Sequence, residues 1–167
     1  MRWMLICCAI CAMALMSRPR LTEACSKIHV DMFTEFDGAQ RVLVASVTSA
    51  PEDKSKLAVI ALESPLKGAR PGKATVEIVQ NVICGPVFGA RQRFIGFFNQ
   101  ELLFRELVAW SGEAASALER WGHARTPQAR LALLSELANS KDRAVAMDAS
   151  DRLAIERRRL KQAERRG

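Results

Sequence analysis

Cys25, His29 and Cys84 are the residues whose types could carry nucleophilic or metal chemistry. His29 follows Cys25 by four positions, which on a helix brings both to one face, and Cys84 could complete a Cys-His-Cys set. A structural zinc site takes four ligands in closer pairs, and beyond residue 24 the chain has no CxxC and no HExxH. A Cys–His nucleophile needs a thiolate, which oxidation removes. His123, in Gly122-His-Ala-Arg125, reads as a solvated loop residue. Gly85, Gly89 and Gly96 open no helix, so no phosphate-binding loop is formed. There is no Gly-x-Ser-x-Gly elbow and no Asn-x-Ser/Thr sequon. The residues therefore predict a protein that is not an enzyme, with no metal site and no cofactor.

The position of the cysteines says more than their chemistry. Residues 3–16 are uncharged and apolar, and Arg2 precedes them. Spanning a bilayer as a helix takes ~20 apolar residues, so this run is short for an anchor and reads as a secretory signal peptide. A buried core helix is the alternative, but Cys7, Cys8 and Cys11 leave the run no polar face. Cleavage after Thr22-Glu-Ala24 would make Cys25 the new N-terminus. Ala12-Met-Ala14 has the better small-x-small pattern but lies inside the apolar run. A lipoprotein wants an apolar residue where Thr22 stands, and Arg18 with Arg20 keep an uncleaved anchor as a further reading. Three of the five Cys fall before residue 25, which leaves Cys25 and Cys84 as an even pair bound for an oxidising compartment. A bridge between them would close a loop of about 60 residues, worth roughly 4 kcal/mol on the chain-entropy account. Two unrelated buried thiols are the alternative on spacing alone.

Residues 25–111 read as β. Strands are predicted over 41–48, over 56–62 ending before Pro65, over 73–79, and over 93–98. In the third, Ala74, Val76 and Ile78 face one way and Thr75 and Glu77 the other. Residues 102–110 fit a helical spacing as well, but a hairpin through Asn99-Gln-Glu101 is the shorter solution. Ahead of the strands, residues 32–36 could form one or two helical turns capped by Gly38. Five short strands at regular spacing suggest a small barrel or sandwich. Residues 112–167 read as a helical extension. An Ala-rich helix over 113–121 ends at Gly122, and Thr126-Pro127 is an N-cap followed by Pro at the first helical position. Leu131, Leu134 and Ala138 line one face of that second helix. Ser140 or Asp142 caps a last helix, in which Val145, Ala149, Leu153 and Leu160 make a thin apolar stripe, with Asp148 and Arg152 at i,i+4 in support.

This order of features resembles the netrin-like module, the OB-barrel of the tissue inhibitors of metalloproteinases, and above all its bacterial secreted type. The matching pieces are Ala24-Cys25-Ser26 after the signal peptide, a short helix leading into Arg41-Val-Leu-Val-Ala-Ser-Val47, and Leu62-Glu-Ser-Pro-Leu-Lys-Gly68. Val76-Glu-Ile-Val79, the pair Cys84-Gly85 and the aromatic run Arg93-Phe-Ile-Gly-Phe-Phe98 complete it. The resemblance covers roughly residues 25–110 and leaves the helices outside. It implies a mainly β, five-stranded OB-like barrel with an α-helical C-terminal extension, and a disulfide between Cys25 and Cys84. The family's second bridge is missing at both ends: Lys27 stands where its first Cys would be, and no Cys follows Cys84. In the animal inhibitors the free N-terminal Cys chelates the protease zinc through its amine and carbonyl. That role would fall to Cys25 after cleavage at Ala24, with Ser26 and Lys27 continuing the inhibitory edge, and it makes a metalloproteinase one candidate partner. The broader expectation is a secreted or periplasmic protein-binding module whose partner is unknown. A signal-anchored structural protein of the envelope is the reading from a different class.

Composition and charge bound the partners. Of 167 residues 49% are apolar and 26% charged, which excludes collagen, coiled-coil fibre and polytopic membrane protein. An OB-fold can stack single-stranded nucleic acid on aromatics in a basic groove, but Tyr is absent and the Phe lie in apolar runs. Lys54, Lys56, Lys67, Arg70 and Lys73 offer at most a weak patch, and nucleic acid is not expected. The formal charge of +7 divides unevenly: residues 1–24 hold +2 of it and residues 152–167 hold +5. The intervening domain is close to neutral. An anionic surface is therefore expected to meet Arg157, Arg158, Arg159, Lys161, Arg165 and Arg166, whose bland alternative is a solvated, frayed terminus.

Overall fold

A computed structural model describes residues 30–50, 57–79, 88–102 and 104–166. Four helices and five strands occur among them, in the order α1 (Met32–Gly38), β1 (Arg41–Ser49), β2 (Leu57–Lys67), β3 (Thr75–Val79), β4 (Arg93–Phe98), β5 (Phe104–Ala109), α2 (Gly112–His123), α3 (Pro127–Leu137) and α4 (Arg143–Glu164). The strands make one antiparallel sheet in the order β3-β2-β1-β4-β5. The meander β1-β2-β3 is followed by a return that lays β4 beside β1, so the first four strands form a Greek key. Among the described residues the sheet is open, with β3 and β5 outermost. The architecture is mixed α and β rather than mainly β.

Both faces of the sheet are covered, which explains why Val42, Leu43, Val44 and Ala45 are all buried in central β1. One face carries Val42, Ile95 and Phe97 against the helices. The other gathers Leu43, Ala45, Val47, Ile60, Ile78, Phe94 and Phe98 into a second cluster. The helices do not project. Residues Met32, Phe33 and Phe36 of α1 share the first cluster with Leu118 and Trp121 of α2, Leu134 of α3 and Val145 of α4. Each of these four helices starts on a side-chain cap, from Asp31, Ser111, Thr126 and Asp142 in turn.

Several expectations change in detail. Strand β2 does not stop before Pro65 but runs on to Lys67. Its pairing with β3 ends at Ala61–Thr75, and its pairing with β1 shifts register around Leu43–Pro65. The missing N–H of Pro65 thus falls where one neighbour is gone and the other is irregular. The ambiguous 102–110 stretch is strand β5, entered through a turn in which the N–H of Leu102 donates to the Asn99 carbonyl at 3.2 Å. In α3 burial falls on Leu133, Leu134 and Leu137, while Leu131 lies at the cluster's edge. Gly38 is the last residue of α1, and extended Ala39 caps it. His123 is the exposed last residue of α2, not part of a loop.

Candidate functional site

Short helix α1 is held at both ends by side chains from elsewhere in the chain. At its start Asp31 accepts from the Thr34 N–H, and the buried Met32 N–H donates to Asp148 of α4 at 2.8 Å. At its end the carbonyls that a helix leaves unpaired accept from cations: Lys67 reaches those of Phe36 and Asp37, and Arg105 reaches that of Gly38 at 2.6 Å. Lys67 also lies over the Phe36 ring, 5.0 Å from its centre. Burial of this ammonium lowers its pKa from the usual lysine value, against the raising effect of Asp37. Lys67 therefore leaves the weak basic patch expected near it and becomes a clamp on α1.

Asp37 is the centre of a polar knot. One of its carboxylate oxygens accepts from the Trp121 indole N–H at 3.0 Å, and the other from Arg152 at 3.1 Å. Arg130 stands at 3.4 Å. The guanidinium groups of Arg130 and Arg152 lie over the Trp121 ring at 4.4 and 5.5 Å. Arg152 is 5% exposed, also pairs with Glu156 at 2.9 Å, and donates to the Thr34 hydroxyl. Its Nε is buried without a partner. These groups are consumed in holding the four helices to one another, so the knot is structural. Along the sequence Arg152 reads only as the i,i+4 partner of Asp148, and nothing local marks Asp37, Trp121 and Arg130 as its neighbours.

Three open surfaces stand out among the described residues. On the sheet, the Arg93 guanidinium lies 4.2 Å from the centre of the Trp110 ring and bonds Glu63 at 2.6 Å, leaving Trp110 39% exposed. At the β3 edge a cleft of about 650 Å3 is lined by Lys73, Thr75, Glu77, Gln100, Glu101 and Leu102 among others.

The end of α4 forms the third. Arg157, Arg158, Arg159, Lys161, Arg165 and Arg166 are all exposed. Arg159 turns to Glu156 at 3.3 Å. At about 100° per residue Arg157, Arg158 and Lys161 lie within one arc of the helix, on the side away from that pair. Cys25, Ser26, Lys27, His29, Cys84 and the apolar run 3–16 lie outside the described residues. Among the described residues no cluster of three or more His, Cys, Asp or Glu could hold a metal ion, and no helix is long and apolar enough to cross a membrane. Comparison with family models, curated proteins and solved structures gives no match for this chain.

Proposed function

We propose that the chain is a secreted or periplasmic, non-catalytic protein-binding module on a netrin-like, OB-type barrel. The observation that carries this reading is the Greek key β4-β1-β2-β3 with β5 added beside β4. An OB-fold is a five-stranded, partly open Greek-key barrel. The second cluster adds support: its side chains are buried on a face where no described helix packs. A sheet curling around its own side chains buries such a face without help from another layer. Helix α1 enters β1 directly, as the resemblance requires, and helices α2–α4 brace the outer face. In the same reading Arg157, Arg158 and Lys161 give the module a contact with an anionic surface.

The test is the intact mass of the exported protein, with and without reductant. The proposal expects a chain beginning at Cys25 that gains two hydrogens on reduction. An unprocessed chain favours the signal-anchored reading instead. Free thiols at both Cys25 and Cys84 in the exported form overturn the disulfide and the family reading built on it.

A further inference from the structure

The N–H of Leu62 donates to the carbonyl of Ala74 at 2.8 Å, and the pairs Ala61–Thr75, Ile60–Val76, Val59–Glu77 and Ala58–Ile78 follow. In an antiparallel ladder, bonded and non-bonded pairs alternate. The backbone groups of Ala74, Val76 and Ile78 are therefore spent on β2, whereas those of Thr75 and Glu77 point away from it. Among the described residues no strand takes them, and this edge opens into the 650 Å3 cleft. Unpaired edges are templates for strand addition.

We infer that the occupant is a second copy of this chain, joined edge to edge and antiparallel through β3, with Thr75 opposite Thr75. The argument is charge and register. Within β3 the outward backbone groups belong to Thr75, Glu77 and Val79, and the Leu62–Ala74 bond brings Lys73 to the strand's start just ahead of them, so only registers that pair these positions make bonds. Thr75 on Thr75 sets Lys73 of each copy against Glu77 of the other, twice by symmetry. It also sets Ala74 against Val76 on the apolar face. Glu77 on Glu77 or Lys73 on Lys73 would oppose like charges, and Thr75 on Glu77 would leave both charges unmatched. Lys73, Thr75 and Glu77 are exposed, and neither Lys73 nor Glu77 has an ion-pair partner among the described residues. The inference does not rest on the proposed function.

Sedimentation equilibrium of the full chain tests it over a range of concentration. The expected result is a monomer–dimer equilibrium weakened about tenfold or more by either K73E or E77K alone, since each places like charges opposite twice. Two further arms restore it: the double variant K73E/E77K dimerises again, and the two single variants mixed form a heterodimer. Circular dichroism shows that the variants are folded, and the mixing arm itself needs folded chains. A wild type that is monomeric at all concentrations overturns the inference, as it would if β3 closed on β5 instead. Single reversals that leave the dimer intact, or a mixture that forms no heterodimer, overturn it equally. The mass of the exported chain is a separate readout, so failure here is distinguishable from failure of the netrin-like reading.

Discussion

Arg152 and Asp37 stand 115 residues apart in the chain and meet at 3.1 Å. That contact joins the helix that precedes the sheet to the helix that ends the fold, across the Trp121 ring. An arginine this deeply buried is tolerated because Asp37, Glu156 and Thr34 together engage its two terminal nitrogens, although its Nε is left without a partner. Its aliphatic stem and planar head fill space as well as carrying charge.

Replacing Arg152 with Met keeps the packing and removes the charge. Loss of one partner from a buried pair costs 3–5 kcal/mol in general; with Asp37 about one third exposed, the expected loss is about 2–3 kcal/mol. Urea unfolding measures it. An unchanged midpoint would show that the knot does not hold the helices.

Asp142 links the caps of α2 and α4. Its carboxylate accepts from the Ser111 hydroxyl and from the Ala144 and Val145 N–H groups, which hold its pKa below the ordinary value of 3.8. A carboxylate depressed in the folded state stabilises the fold above its unfolded pKa of about 4 and loses that contribution as pH falls through the folded value. Stability should therefore decline below about pH 4, and S111A should make the acid-side decline shallower. S111A also removes the cap on the Ala114 N–H, which lowers stability at every pH by about 1 kcal/mol. Denaturant titrations across pH separate the two effects, since only the first changes the slope. An identical slope in S111A would refute the link.

Gly96 sits in β4 between Phe94 and Phe98, on the face of the second cluster. A Cβ there would lie 2.5 Å from the Phe98 ring and 3.2 Å from that of Phe94. Both rings are fully buried and have little room to move. G96A should cost about 1–3 kcal/mol, the usual range for overpacking. Thermal unfolding that shows G96A as stable as the parent would mean the rings can shift apart.

The arc formed by Arg157, Arg158 and Lys161 is expected to bind anionic vesicles or polymers in a salt-dependent way. Reversing all three charges should abolish that binding while moving stability by no more than about 0.5 kcal/mol, because the side chains are exposed. Reversing Arg159 alone should have less effect, since it is partly neutralised by Glu156. Co-sedimentation at low and high salt checks both. Equal losses in the two variants would mean that the arc has no special part.

Local signals announced most of the elements. The run Arg41–Ser49 and the aromatic run Arg93–Phe98 are strands because β-branched and aromatic side chains suit a pleated surface covered on both sides. Thr126-Pro127 and Asp142 cap helices because a side-chain oxygen beside free N–H groups needs no distant partner. Pro65 misled because its tolerance depends on where β3 ends and how β1 shifts, and neither is a local property. Lys67 misled for a similar reason. A lysine beside a turn reads as solvated until α1 presents open carbonyls to it.

The amino-acid order by itself determined the kinds of elements, their caps and the alternation that gives each strand an apolar side, since these follow from propensity and period. Only the tertiary structure decided which partners those sides meet. It placed the helices on one face, turned Arg152 inward to Asp37 and left Thr75 and Glu77 on an open edge. The physical reason is range. Capping and periodicity act within a few residues, whereas strand order and buried ion pairs depend on groups brought together across most of the chain. Lys73 and Glu77 show the division well: their alternation can be read along the strand, but only the sheet order makes it an edge.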